Sequence, residues 1–194
     1  MTAALTASAR QILGAWQAPD PDQDALRHAY LAFVDAATDP CVRACVPGHL
    51  TASAIVFDAT GRHVLLTLHP RVGRWVQLGG HCEPGDTGLD AAALREATEE
   101  SGLAGLVLSP SPVQLHTHPI TCSLGVPTRH LDVRYGAVAP PTADGTPPEP
   151  VCSDESIDLA WWPVDALPEN VDAESVPALI TLGHDALRGT ELIS

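Results

Sequence analysis

The segment GGHCEPGDTGLDAAALREATEESGL, Gly79 to Leu103, constrains this chain more than any other. A glycine-rich loop runs into an alanine-rich stretch, from about Leu89 to Ser101, that reads as a helix. Gly102 ends it, as glycine does where a helix turns left-handed. Glu96, Glu99 and Glu100 stand in an i, i+3, i+4 relation and share one helix face. Leu94, Ala97 and Ser101 fall roughly opposite and can pack on a sheet. At about 6 Å separation and an effective dielectric near 20, each carboxylate pair repels by roughly 3 kcal/mol. A solvated acidic face tolerates that repulsion. In a cleft it needs an offset, and a hard divalent cation with oxygen ligands supplies one.

The rest of the chain frames this helix. Two helical patterns, about Leu5–Trp16 and Asp24–Ala37, are split by APDPD and read as an N-terminal helical appendage over residues 1–47. After VPGH the pattern turns β-rich: LTASAIVFD and RHVLLTL read as a hairpin, WVQL as a short strand, and Gly79-Gly80 as a turn. Further strands are expected near VQLHTH, RHLDVRYGAVA and IDLAWWP, with a last helix over about Val176–Leu187. PPTADGTPPEP is a proline-rich loop. The expected fold class is α+β, a catalytic body over residues 48–194 joined to the appendage in a single domain.

Composition narrows the function. With 194 residues, 45% apolar and 18% charged, the chain can bury a core. A formal net charge of −14 argues against nucleic acid and anionic membranes as partners. An anionic small molecule needs local arginines or a cation to approach. All 10 basic residues are arginine, which excludes lysine Schiff-base chemistry. The 5 cysteines show no framework spacing, no apolar run is of spanning length, and no signal-like N-terminus is evident, so the expected setting is cytoplasmic with reduced thiols.

The glycine loop and the REATEESGL helix together resemble the signature of the Nudix hydrolases, the MutT-like pyrophosphohydrolases. Gly80 fills the first position and Arg95, Glu96, Glu99, Glu100 and Gly102 match the helical half. Asp86 stands where the family has its first glutamate, with eight residues rather than seven between it and Arg95. The resemblance covers about residues 49–190. It implies an α/β/α sandwich with a mixed sheet, and metal-dependent hydrolysis of a nucleoside diphosphate linked to another moiety. By the same resemblance Glu99 and Glu100 would bind Mg²⁺ or Mn²⁺, Glu96 would be a further ligand or orient the base, and Arg95 would hold it. Glu155 is the candidate general base.

Other residues keep two readings each. Arg71 and Arg74 could meet a substrate phosphate or form an exposed basic loop. His81 could contact metal or phosphate, or only hydrogen-bond its loop. In RHLDVRYG, His130, Asp132 and Arg134 share one strand face, where Arg134 pairs with substrate phosphate or with Asp132. His116 and His118 share a face and could bind a metal or form a partly buried polar pair. Cys41-x3-Cys45-x3-His49 has no partner set that completes a zinc site. Two other functions compete. One is an isopentenyl-diphosphate isomerase-like enzyme, suggested by HLTASAIVF at His49 and by Gly80-His81. The other is a non-catalytic nucleotide-sensing module. The N-terminal helices could pair two subunits in a homodimer or cap the cleft.

Overall fold

The run His49–Phe57 is strand β1, and all 9 of its residues are buried, so both faces of the sheet are covered at this strand. The computed structural model describes residues 2–121, 125–153 and 156–193. Among these, helices α1 (Thr2–Ala15) and α2 (Pro21–Ala36) precede β1. Then come β2 (His63–Leu68), β3 (Trp75–Val76), β4 (Leu78–His81), α3 (Leu89–Ser101), β5 (Val107–Leu108), β6 (Gln114–Thr121), β7 (Pro127–Val138), β8 (Asp158–Pro163) and α4 (Val176–Gly189).

The sheet is mixed. β1 runs parallel to β7, with His49 opposite His130 and Phe57 opposite Val138. Its other edge is shared: the first half pairs antiparallel with β4, the last residues with β2. β7 is likewise shared by β6 and β5, and β8 borders β2.

Alternation along β1 sorts the core into two layers. Leu50, Ala52, Ala54 and Val56 meet Ala92, Ala93 and Ala97 of α3 and the buried side of α1 and α2. Ile55 and Phe57 point the other way, onto Val176, Leu179, Ile180 and Leu187 of α4. Each leucine so buried contributes about 1.5–3 kcal/mol. The N-terminal helices share the first layer: Leu5, Ala9, Leu13, Trp16, Tyr30 and Val34 belong to the same cluster as the sheet.

One sequence expectation is corrected. Gly79 and Gly80 form no turn; they lie inside β4, opposite Ser53 and Ala52 of β1. Gly79 has φ +151, a conformation that disfavours a side chain, and a Cβ there would stand 2.5 Å from the Ser53 Cα. Both glycines serve close approach, not chain reversal.

Candidate active site

Helix α3 lies close on the sheet because small residues face each other, Ala93 and Ala97 against Ala52 and Ala54. Gly102 ends it in the left-handed conformation, φ 66, its N–H donating to the Thr98 carbonyl. This docking sets the carboxylates. A Cβ on Gly80 would lie 2.7 Å from Glu96 Oε1, so glycine leaves the room that Glu96 occupies. Glu100 is buried and accepts the Gly79 N–H at 2.9 Å. Glu99 is 60% exposed and faces outward from the same helix.

Arg95 gathers these groups. Its Nε and Nη2 donate to the two oxygens of Asp86, each at 3.0 Å, a bidentate pair. Nη2 also reaches the His81 carbonyl at 2.9 Å, while Nη1 donates to Glu96 at 3.1 Å and to Glu99 at 3.0 Å. Asp86 raises the Arg95 pKa, and burial of the guanidinium opposes it. Asp86 in turn titrates below the usual carboxylate range. Burial pushes its pKa up, but the Arg95 bonds and the Glu83 N–H outweigh that. The shorter acid with one extra loop residue therefore still reaches the arginine.

A cavity of about 200 Å³ opens here, lined by Arg43, Gly80, His81, Glu83, Arg95, Glu96, Glu99, Glu100 and Ser153. Glu96, Glu99 and Glu100 thus meet in one cleft, as hard oxygen donors suited to Mg²⁺ or Mn²⁺. The room beside Gly80 and the backbone hold on Glu100 fix the positions of two of these carboxylates.

Other sequence candidates sit elsewhere. Arg134 is 2% exposed and binds Asp132 at 2.9 Å, Gln114 at 3.0 Å and Ser175 at 3.3 Å. Of its two readings, the Asp132 pair is the one formed. Arg74 is exposed and ion-paired with Asp172 at 3.3 Å, and Arg71 is exposed on the same loop. Neither lines the cleft, although the Arg71 charge reaches His81. Glu155 lies outside the described residues. His81 does line the cleft, its Nδ1 3.0 Å from Arg43 Nη2.

Arg43 and Ser153 were missed from the sequence. Both belong to irregular segments brought in by tertiary packing, and no periodicity or spacing marks them. The histidines do converge: His49, His81 and His130 form a triangle of rings with centroids 4.9–5.1 Å apart, continued by His118 and His116. Burial, then the Arg43 charge, lowers the His81 pKa to about 3. His130 falls to about 4 through burial and the neighbouring His49. Cys41 and Cys45 take no part in this gathering.

Solved structures share this arrangement of elements. A NUDIX-family hydrolase from Clostridium perfringens is 25% identical, with a TM-score of 0.52 over 73% of this chain and 97% of that one. A C. elegans Ap4A hydrolase binary complex is 19% identical, with a TM-score of 0.51 over 72% and 98%. The E. coli dihydroneopterin triphosphate pyrophosphohydrolase is 19% identical, with a TM-score of 0.52 over 68% and 91%. The match to the NUDIX domain itself spans residues 47–181, which holds the sheet, α3 and the cleft. The chain belongs to the NUDIX domain family.

Proposed function

We propose that this chain hydrolyses a nucleoside diphosphate linked to another moiety, with Glu96, Glu99 and Glu100 holding Mg²⁺ or Mn²⁺. Family membership makes the enzyme a pyrophosphohydrolase, an acid-anhydride hydrolase. The observation that carries the finer reading is the meeting of four carboxylates, Glu83 among them, and two arginines in one cleft. When bound, the cation neutralises phosphate charge and acidifies the attacking water.

The chain's own residues do the rest. Arg95 holds Glu96 and Glu99 in place and works as a positioning residue. Arg43 stands on the cleft wall beside His81, where its charge can meet a substrate phosphate. Arg71, on the exposed loop outside the cleft lining, can meet only the outer part of a long substrate, and Arg74 only by leaving Asp172. His81, held neutral, can hydrogen-bond a phosphate oxygen or the leaving group. Glu155 is the proposed base that takes the proton from water; Ser153, two residues before it, lines the cleft. Arg134 has no part in binding, since Asp132 occupies it.

The test is turnover with Mg²⁺ or Mn²⁺ on nucleotide sugars, ADP-ribose, dinucleoside polyphosphates and CDP-alcohols, resolved by chromatography. Glu99→Gln and Glu100→Gln should each lower kcat by about 100-fold or more, the scale of losing one electrostatic group at a reacting centre. Their circular dichroism should match the parent. Full activity in both variants overturns the metal assignment. Turnover of isopentenyl diphosphate in place of hydrolysis would overturn the reaction.

A further inference from the structure

The strand pairing puts three histidines on one sheet face. His49 begins β1 and stands directly opposite His130 on β7, while His81 on β4 stands opposite Thr51, two residues along β1. Directly paired residues point the same way, as do residues two apart on a strand. All three imidazoles therefore converge, and one nitrogen from each lies within 4.8 Å of the others.

Burial makes this hard to explain as packing. His49 is 0% exposed; the Cys45 backbone lies near enough to favour its protonated form, yet neither ring nitrogen completes a hydrogen bond of good geometry among the described residues. Nε2 of His130 is buried and unpartnered in the same way. Buried polar atoms in folded proteins are nearly always satisfied, and each exception calls for a reason. Two such imidazoles meeting a third, that of His81, at one centre have such a reason in a shared cation.

We propose that His49, His81 and His130 form a second cation site, all nitrogen, for a borderline-soft divalent ion of the Zn²⁺ class. Its ligand chemistry differs from that of the carboxylates, which suit harder ions. Nitrogen ligands about 2.0–2.1 Å from one ion lie about 3.4 Å apart when tetrahedral. Small ring rotations therefore close the set, and the fourth position stays open to water or a substrate oxygen.

The low pKa of His81, about 3, and of His130, about 4, keep these rings neutral near pH 7, as ligation requires. Arg43 introduces a coupling. A guanidinium only donates, so Nδ1 of His81 accepts from it and Nε2 carries the proton. Ion uptake must turn that ring or release Arg43, which also lines the cleft. The two sites therefore communicate through one side chain.

The proposal does not depend on the hydrolase reading, and the experiment keeps them apart. Full-length protein carrying Glu96→Gln and Glu99→Gln, which weakens the carboxylate set, is stripped with chelator and titrated with Zn²⁺ and Co²⁺ in excess Mg²⁺. The expected result is stoichiometric Zn²⁺ uptake, and a Co²⁺ visible spectrum typical of nitrogen ligation. Adding His130→Gln should weaken uptake by at least about 100-fold, since even outer-shell partners of a metal cost 10–100-fold. His49→Ala should do the same. If that buried change prevents folding, the imidazole NMR shifts of His49 on Zn²⁺ addition to the parent replace it. No uptake, unchanged affinity in His130→Gln, or unmoved His49 resonances overturns the site.

Discussion

Two adjacent glycines have separable jobs. At Gly80 the atoms a Cβ would meet are the Glu96 carboxylate, with Oε1 at 2.7 Å and Cδ at 2.8 Å. A carboxylate is the free end of a side chain and can move aside. Gly80→Ala is expected to fold with little change in Tm but to displace Glu96 and lower kcat at fixed Mg²⁺. At Gly79 the obstacles are backbone, the Ser53 Cα at 2.5 Å and the Ala52 carbonyl at 2.7 Å, and φ is +151. Gly79→Ala must part β4 from β1, and should lower stability by several kcal/mol, at the upper end of single substitutions. Measuring Tm and kcat on both variants checks the division. Equal stability loss in the two would refute it.

The elements show where packing decides position. α4 crosses the sheet at Gly183, where a Cβ would come 2.8 Å from Ile55 Cγ2 and 3.1 Å from Phe57 Cε2. On the strand below, Gly136 faces the Gly183 carbonyl at 3.2 Å from its own would-be Cβ. Gly183→Ala improves helix propensity, yet overpacking a filled core costs about 1–3 kcal/mol, and that outweighs the propensity gain of up to about 1 kcal/mol. A lower urea midpoint is expected, with the cleft chemistry unchanged because α4 lies on the face away from α3. A variant as stable as the parent would mean that α4 has slack.

Much of this was legible from the sequence, and the reasons differ by element. Helix α3 was expected at about Leu89–Ser101 because its alanines, acidic face and closing glycine all point one way, and those are its bounds. β1, β2 and β7 followed from alternation and β-branched content. Gly79-Gly80 was misread because glycine pairs usually mark turns; only the neighbouring strand and helix show that they are there for clearance. Arg43 lies in a segment without regular pattern, and its meeting with His81, 38 residues on, is tertiary. The face of β7 that carries His130, Asp132 and Arg134 could be read from spacing. Which partner Arg134 takes could not, because that depends on Ser53, Thr51 and Gln114 arriving from other strands.

At the scale of the whole molecule, the N-terminal helices and the polar sheet face set the stability. Trp16, Leu13, Tyr30 and Val34 are buried with the sheet residues, and Tyr30 donates its hydroxyl to the His116 and Asp132 carbonyls. The first helices therefore lock β6 and β7 against the core, and what they hold includes uncharged imidazole. His116 titrates near 4 because burial, then the Arg134 charge, disfavours its protonated form; its Nδ1 has no hydrogen-bond partner among the described residues. In the unfolded chain the same ring titrates near 6.5. Between those values the unfolded state binds the extra proton, so stability falls as pH drops from about 6.5 to about 4. Above 6.5 both states are neutral and His116 adds no slope. Asp132, whose pKa burial raises but the Arg134 ion pair and hydrogen bonds hold below the carboxylate norm, acts in a different window, losing its stabilisation only below about pH 4. His116→Gln should therefore remove its own share of the decline between pH 7 and pH 4.5, leaving the shares of His81 and His130, which act in the same window with pKa values of about 3 and about 4, and the steeper loss at lower pH. The two and a half units between 6.5 and 4 set an upper bound of about 3.4 kcal/mol on the change. Urea unfolding of chelator-treated protein at pH 7, 5.5 and 4.5 measures it. An acid slope that His116→Gln leaves unchanged would mean that this imidazole is already charged in the folded protein, and that the polar face of the sheet is wetter than its burial implies.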